Sequence, residues 1–415
     1  MRRSFKSSSS KISSDSQRLA VLARGVALAS SRLEERGWEK QIDTLLHKLL
    51  KASHQDTIDT ALDTLFKSDA NAYDALMEAV EAASESAVIE HDGELYDALL
   101  LAVPILAWTR FSIAAGPISS DLHMTLAAHL HAHVLAPDVK LALAPTLYAI
   151  DQLPRSHVDT FAVLQRLAMN ALKGSPARPI GDAAETAPFL ADTRYLLAAL
   201  VVPAGQPLLR WQASLQVDDR EQALQQWQTQ AMPNIVRMLP GCGVELLLPE
   251  AYYVACREGD RQIRPASIRA AVHFLTHTLE VDVRELHAHI GSFGEEAAPG
   301  RADEYRIGFS VGQVSDVVYG VVWPLYGEED EDDVGDINAI PLQRLAVGEE
   351  PQPTPLEEIT TLLREAGVVD IVRHPDRFPM EFCDDCGAPL FPDSDADLVH
   401  AEMPEDAPQG ATHFH

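Results

Sequence analysis

The sequence has little of what would assign it at once to a secreted, membrane or nucleic-acid-binding class. It contains four cysteines in 415 residues, too few for a disulfide framework, which indicates a reducing compartment. No run approaches the ~20 uncharged apolar residues of a membrane-spanning helix. Its 33 basic residues face 62 acidic ones, and the formal net charge of -29 repels a phosphate backbone. These absences predict a cytoplasmic protein with neither a membrane nor a nucleic acid as its partner.

Familiar reaction signatures are missing as well. Gly241, Cys242 and Gly243 lack the third glycine and the acidic partner of a dinucleotide-binding fingerprint. The chain has neither a Walker A lysine nor a Gly-x-Ser-x-Gly elbow. Arg24 interrupts the apolar stretch 19–29, which argues against a secretory signal. The sequence therefore favours a protein that is not an enzyme, without deciding the point.

The first part of the chain has a helical pattern. Residues 1–15 are basic and serine-rich and predict a flexible tail. Through residues 16–174, apolar side chains recur at helical spacing and no strand pattern is evident. About eight helices joined by short turns would form an independent all-α bundle or an irregular solenoid. The apolar helix faces include Leu45 and Leu49, Leu95 and Leu99, and Leu122 and Leu126.

The period changes after a linker rich in glycine, proline and alanine at residues 175–189. Residues 190–327 predict an α+β sheet domain. The continuous apolar run 194–202 is typical of a buried central strand, and alternation at 286–290 and 307–311 predicts two more strands. Residues 218–232 and 266–279 have helical spacing.

The rest of the chain predicts a small separate unit. Residues 328–353 are an acidic loop that begins with six consecutive acids. Residues 354–392 then contain a helix, a short strand and a Cys-x-x-Cys turn, with Thr354 and Glu357 spaced as a capping box. Residues 393–415 predict a loose acidic tail. The predicted fold class is accordingly α+β and multidomain.

The Cys-x-x-Cys turn carries the clearest chemistry. Cys383 and Cys386 can hold adjacent corners of a tetrahedral zinc ion, with Gly387 relieving the turn. His400, fourteen positions after Cys386, is the predicted third ligand. Further ligands could come from the downstream histidines, from the cysteines of the sheet domain or from a second subunit. These candidates are His413, His415, Cys242 and Cys256.

Two other interpretations of the turn stay open beside a structural zinc ion. The turn could have lost its metal, or the two thiols could form a redox pair. Asp384 and Asp385 lie between the thiols and disfavour the thiolate that disulfide exchange needs. The predicted cofactor is therefore zinc in a structural role.

Histidines of the sheet domain provide the competing enzyme hypothesis. His273 and His277 lie four apart on a predicted helix, and His287 and His289 share one face of the next strand. With Cys242 they could form the site of a metal- or cysteine-dependent hydrolase. Position 274 is phenylalanine, however, where a zinc protease carries glutamate, and the four histidines are predicted to be an ordinary polar surface.

Two resemblances to known families follow from these residues. The form Cys-x-x-Cys-Gly-x-x-Leu-Phe at 383–391 resembles half of a zinc ribbon, which implies a ligand role for Cys383 and Cys386. The helical first half, the acidic loop and the ending at 382–392 resemble an uncharacterised family of bacterial hypothetical proteins, a domain of unknown function. That resemblance implies a bacterial cytoplasmic protein and no activity. We therefore expect a non-enzymatic interaction or adaptor protein with an unidentified protein partner.

Overall fold

The structure is a computed structural model that describes residues 13–179, 189–214, 218–294, 302–312, 316–326, 329 and 353–404. Most of the predicted basic tail, linker and acidic loop lies outside the described residues, as do residues 405–415 with His413 and His415.

Four helices open the described chain. They are α1 (Ser14–Ala27), α2 (Arg32–Lys51), α3 (Gln55–Phe66) and α4 (Ala70–Glu85). Ser13, Ser31 and Asp69 each cap a helix by accepting a backbone N–H, as their residue types favour. The apolar faces pack together through the fully buried Leu19, Leu46, Leu65 and Leu76. The predicted N-terminal helical region is confirmed.

Strands follow where only helices were predicted. They are β1 (Ser86–His91), β2 (Glu94–Trp108), β3 (Gly116–Pro117), β4 (Lys140–Leu143) and β5 (Thr146–Ala149). Helices α5 (Ser120–His133) and α6 (His157–Lys173) alternate with them. The helical assignment of Leu95 and Leu99 was therefore wrong, because both lie in β2. The middle of β2 is buried on both faces, so it lacks the alternation that marks a half-exposed strand.

The second half contains the predicted strands and helices. Its elements are β6 (Ala191–Pro203), α7 (Arg210–Ala213), α8 (Asp218–Met238), β7 (Gly243–Leu246), β8 (Glu250–Ala251), α9 (Tyr252–Thr278), β9 (Leu286–Gly294), β10 (Glu304–Val311), β11 (Tyr319–Pro324), α10 (Pro355–Glu365), β12 (Asp370–Pro379), β13 (Phe391–Pro392) and β14 (Leu398–Val399). The predicted capping box is present, because Thr354 and Glu357 bond each other's backbone N–H at the start of α10. Helix α9 is longer than predicted and begins fourteen residues earlier, at Tyr252 rather than at residue 266.

The first sheet combines strands from both halves of the chain. Among the described residues it has the order β1-β2-β6-β5-β3, with β4 also paired to β6 and with β7 and β8 paired to β2. Strands β2 and β6 run antiparallel from Tyr96 opposite Pro203 to Trp108 opposite Ala191. Helices α1–α4 and α6 cover one face, while α5 and α8 cover the other. The sheet therefore crosses the boundary predicted between residues 174 and 190.

The second sheet positions the candidate site. Its order is β11-β10-β9-β12, with β12 parallel to β9 and the other pairs antiparallel. Helices α9 and α10 cover one face. The first turns of α9 pack on the first sheet and its later turns on the second, so this helix joins the two sheets. The opposite face of the second sheet carries residues 380–404, here called the C-terminal unit.

Candidate metal centre

Three glycines on the second sheet leave room for the C-terminal unit and for the Phe378 side chain of β12. Gly308 pairs with Gly320 across the strands, and Gly291 lies on β9 beside them. A Cβ atom on Gly320 would lie 2.2 Å from the ring of Phe391, and one on Gly308 would lie 2.6 Å from the carbonyl oxygen of Pro392. At Gly291 the ring of Phe378 would be 2.7 Å away. A side chain at any of these three positions would clash with Phe391, Pro392 or Phe378 and displace it.

The Cys-x-x-Cys turn is closed by its own backbone. The N–H of Cys383 donates to the carbonyl of Ala388 at 2.7 Å, and the N–H of Gly387 donates to the carbonyl of Cys383 at 2.8 Å. Gly387 has φ +74, a left-handed conformation that glycine adopts without strain. The glycine thereby lets the chain turn directly after Cys386.

A short ribbon brings His400 to the two thiols. Phe391 pairs with Val399, and His400 follows directly after β14. Oδ1 of Asp393 fixes the turn of this ribbon by accepting the N–H groups of Asp395 and Asp397 at 2.8 and 2.9 Å. The ligand atoms of Cys383, Cys386 and His400 consequently all lie within 4.8 Å of one another.

The backbone around the turn favours a thiolate. The N–H groups of Cys386 and Asp385 bond the Cys383 sulfur and lower the pKa of its thiol. The charge of Asp385 acts in the opposite direction, as the sequence suggested, but it is the smaller effect. The predicted disadvantage of the aspartates for a thiolate is therefore outweighed at Cys383. A lowered thiol pKa serves metal binding and disulfide exchange alike.

His400 has the environment expected of a metal ligand. Its Nε2 lies 3.3 Å from Sγ of Cys386. Its Nδ1 is buried without a hydrogen bond, although Oε1 of Glu402 is only 3.3 Å away. Metal-bound histidines commonly give their second nitrogen such a carboxylate partner.

Cys383, Cys386 and His400 are the types of ligand that zinc prefers, but they are one ligand fewer than a closed zinc site needs among residues 13–404 as described. Two thiolates and an imidazole are typical zinc ligands, and a closed tetrahedral site has four. The cysteines of the sheet domain do not contribute the fourth. Cys242 packs in the core between the first sheet and α8, and Cys256 packs on the other face of that sheet. Burial also raises the pKa of the Cys256 thiol, which makes it inert.

Arg306 fastens the turn to the sheet. It is fully buried on β10, and its Nη1 donates to the carbonyls of Glu381 and Leu390 at 2.6 and 2.8 Å. The N–H of Leu390 donates in turn to the carbonyl of Glu381, so these two residues form the neck of the turn. The guanidinium lies between the rings of Phe293 and Phe382, at 4.2 and 5.0 Å from their centroids. No pattern in the sequence predicts this role for Arg306.

The histidines of the hydrolase hypothesis lie in three different settings. The exposed rings of His273 and His277 stack on each other at 4.0 Å on α9. His287 contacts Asp370 through Nδ1 at 2.7 Å. His289 is only 3% exposed and contacts the hydroxyl of Ser310. The predicted polar surface was therefore wrong for His289, because β12 and the C-terminal unit cover its face of the sheet. Within the described part of the chain, none of them joins a metal-binding group.

A buried acid was not found by sequence analysis. Asp260 on α9 accepts the hydroxyls of Tyr326 and Tyr195 at 3.1 and 3.4 Å. Burial raises the pKa of its carboxyl to about 6. These three residues are far apart in the sequence and belong to no motif, so only the fold brings them together.

Fold and site together define a mixed helix-and-sheet protein whose C-terminal unit contains a group that could hold a metal ion. The chain belongs to the family described as "Protein of unknown function (DUF2863)", whose model matches residues 4–414. The resemblance to an uncharacterised family is thereby confirmed. No curated protein and no solved structure matches the chain. None of the helices in the described ranges is both long and apolar enough to cross a membrane.

Proposed function

We propose that the chain is a non-enzymatic cytoplasmic adaptor whose C-terminal unit is held together by a structural zinc ion. The observation that supports it most is the convergence of Cys383, Cys386 and His400, whose ligand atoms lie within 4.8 Å of one another. Zinc matches this donor set better than magnesium or calcium, which take oxygen ligands.

A structural role suits the small amount of regular structure in the C-terminal unit. Its two strands, β13 and β14, have two residues each, and they pair only with each other. Such a short ribbon buries too little apolar surface to be stable alone. Bound zinc would supply the missing free energy, as it does in other small metal-stabilised units.

An adaptor role is supported by the arrangement of the groups that a hydrolase would have used. Cys242 lies in the core of the first sheet, the exposed pair His273 and His277 lies on α9, and His289 is buried on the second sheet. A hydrolytic site needs a nucleophile or a metal within reach of a base. These groups do not meet that requirement.

Metal analysis tests the proposal directly. Protein purified without chelator or affinity tag is expected to contain about one zinc ion per chain, because neutral pH lets zinc displace both thiol protons. Cys383→Ser and His400→Ala should each lose most of the metal, and proteolysis should then cut within residues 380–404. The measurement is elemental analysis by mass spectrometry.

Two further variants complete that experiment. Cys242→Ser replaces a half-buried cysteine on the first sheet and should retain the zinc. The double variant His413→Ala/His415→Ala decides whether the fourth ligand comes from those residues. Less than about 0.2 zinc per chain in reduced wild-type protein would contradict the proposal, because a structural site is nearly fully occupied.

The adaptor role has its own test on the helical region. Leu28 and Leu33, at the turn between α1 and α2, are each 81% exposed, the highest values among the large apolar side chains of the described residues. If this turn binds a protein, Leu28→Glu/Leu33→Glu should reduce recovery of that protein at least about tenfold, a loss of about 1.4 kcal/mol. The measurement is quantitative affinity purification from the native host.

Val369→Glu is the matched control for that measurement. Val369 is 73% exposed, but it lies in the C-terminal part of the chain, before β12. The control should recover the same protein at the wild-type level. Equal recovery with both variants would remove the α1–α2 turn from consideration as the docking surface.

A further inference from the structure

Two buried histidines lie where the C-terminal unit meets the second sheet. His289 on β9 is 3% exposed and His374 on β12 is 9% exposed, with ring centroids 6.4 Å apart. The carbonyl of Pro392 lies over Gly308, the residue that pairs with His289. His374 contacts Phe378 edge-on at 5.8 Å, and Phe378 stacks on Phe293 at 5.2 Å. His289 and its neighbour His374, called here the histidine pair, thus lie on the side of the sheet that carries the C-terminal unit.

Each member of the histidine pair has a ring nitrogen without a hydrogen-bond partner among the described residues. Nε2 of His289 lies 2.9 Å from Oγ of Ser310, whereas its Nδ1 is buried without a hydrogen bond. Nε2 of His374 is buried without a hydrogen bond as well. A neutral imidazole has one donor and one acceptor, but a protonated imidazole has two donors. Protonation would therefore bury a charge and an N–H group that no acceptor satisfies.

The acids near the pair are already engaged. On β12, Asp370 contacts His287 at 2.7 Å. From the C-terminal unit, Asp393 accepts two backbone N–H groups through Oδ1. On β10, the charged residues of the same face are Arg306 and Glu304, which bond each other at 2.6 Å. On β11, Gly320 and Val322 occupy this face and do not titrate. The carboxylates of Asp393 and Asp370 favour a proton on His289, but burial and the two neighbouring histidines oppose it more strongly.

We infer that the histidine pair is a proton-sensitive latch that keeps the C-terminal unit on the second sheet at neutral pH and releases it in mild acid. The inference does not depend on bound zinc, because neither histidine is a proposed ligand or contacts one. Release would uncover Gly308 and Gly320, which Pro392 and Phe391 of the C-terminal unit cover.

The direction of the pH effect follows from proton binding. Burial lowers the pKa of His289 from its ordinary 6.5, and the neighbouring His374 and His287 lower it further. When the unit is released, His289 regains contact with water and binds a proton more readily. Docking is therefore favoured above about pH 6.5, and below it the titration of His289 weakens docking by up to about tenfold per pH unit.

Hydrogen–deuterium exchange on the full chain tests the latch. The amides of Cys383, Gly387 and Leu390 are bonded in the docked unit, so peptides spanning 381–392 report on it. After correction for intrinsic exchange, protection should fall at least about tenfold between pH 7.5 and 5.5. Peptides from α2 in the same sample should keep their protection. Unchanged protection of residues 381–392 would overturn the inference.

Variants separate the pair from other titrating groups. His289→Asn/His374→Phe keeps an acceptor for Ser310 and an aromatic ring against Phe378, and should retain protection at pH 5.5. The control His273→Asn/His277→Asn changes the exposed pair on α9 and should respond to pH as the wild type does. The latch would be disproved if the first variant lost protection over the wild-type pH range.

Two measurements keep the outcome clear if that variant folds poorly or if acid removes zinc. Metal content is determined in every sample, because thiolate ligands lose zinc when they are protonated. Protection that falls while zinc stays bound supports the latch, and a fall that only follows zinc loss disproves it. Nuclear magnetic resonance titration of wild-type protein should show His289 titrating below pH 6.5, and titration at or above that value disproves it too.

Discussion

Residues 13–174 expressed alone are expected to be insoluble or to lack cooperative unfolding. Strand β2 pairs with β6 over thirteen residues, and the fragment ends before β6 begins. Leu100, Leu101, Val103 and Ile105 are completely buried in the intact chain. Exposing such side chains costs about 1.5–3 kcal/mol each, so the four together cost about as much as the whole stability of a typical domain. Circular dichroism during thermal unfolding is the measurement.

Co-expression with the missing part provides the control for this result. Fragments 13–174 and 189–415 together contain every described element of the first sheet, so the pair should form a soluble complex. The sequence pattern led to the opposite expectation, an independent helical domain over residues 16–174. A soluble 13–174 fragment with a cooperative melt would favour that expectation over the shared sheet.

Replacement of Arg306 by alanine should release the C-terminal unit and destabilise the protein by about 3–5 kcal/mol, the usual cost of breaking a buried ion pair. The variant leaves Glu304, whose side chain is only 15% exposed, without its cation. It also removes the donor to the carbonyls of Glu381 and Leu390. The affinity of the Arg306→Ala variant for zinc should also be lower than that of the wild type. Urea unfolding and metal competition measure the two effects.

Arg269→Ala is the matched control on a different surface. Arg269 is 58% exposed and lies 3.7 Å from Glu365, so its loss should change stability by no more than about 0.5 kcal/mol. Arg306→Lys keeps the charge but cannot donate in the same fork, and should recover only part of the loss. Arg306→Ala protein with wild-type stability and wild-type zinc affinity would contradict the assignment.

Comparison of β2 with β6 shows what local pattern can reveal about this fold. Both strands are apolar on both faces, yet β6 was predicted and β2 was not. The run in β6 ends at Pro203, whereas leucine and alanine, which dominate β2, are good helix formers. Pro104 stands in the middle of β2, where it would have broken a helix. It fits the strand because it lies between the segments paired to β7 and β8, where its missing N–H is not needed.

The candidate site likewise has features that local sequence spacing predicts and features that only the fold brings together. The spacing of Cys383 and Cys386 predicts a turn, and the spacing of His400 predicts a third ligand, because those relations are local. Arg306 precedes the turn by 75 residues and His289 precedes His374 by 85, so the sheet register alone brings them together. Arg306 and the burial of His289 were missed for this reason.

During synthesis, β2 cannot pair with β6 until the ribosome has translated β6. Partners in the two strands are separated by 83 residues, for Trp108 and Ala191, up to 107 residues, for Tyr96 and Pro203. At about 5–20 residues per second, a ribosome needs on the order of 5–20 s to produce β6 after β2. During that interval an apolar segment stays unpaired on the nascent chain. Translation speed and chaperones that hold apolar segments should therefore influence the yield of this protein more than that of a helical bundle of the same length.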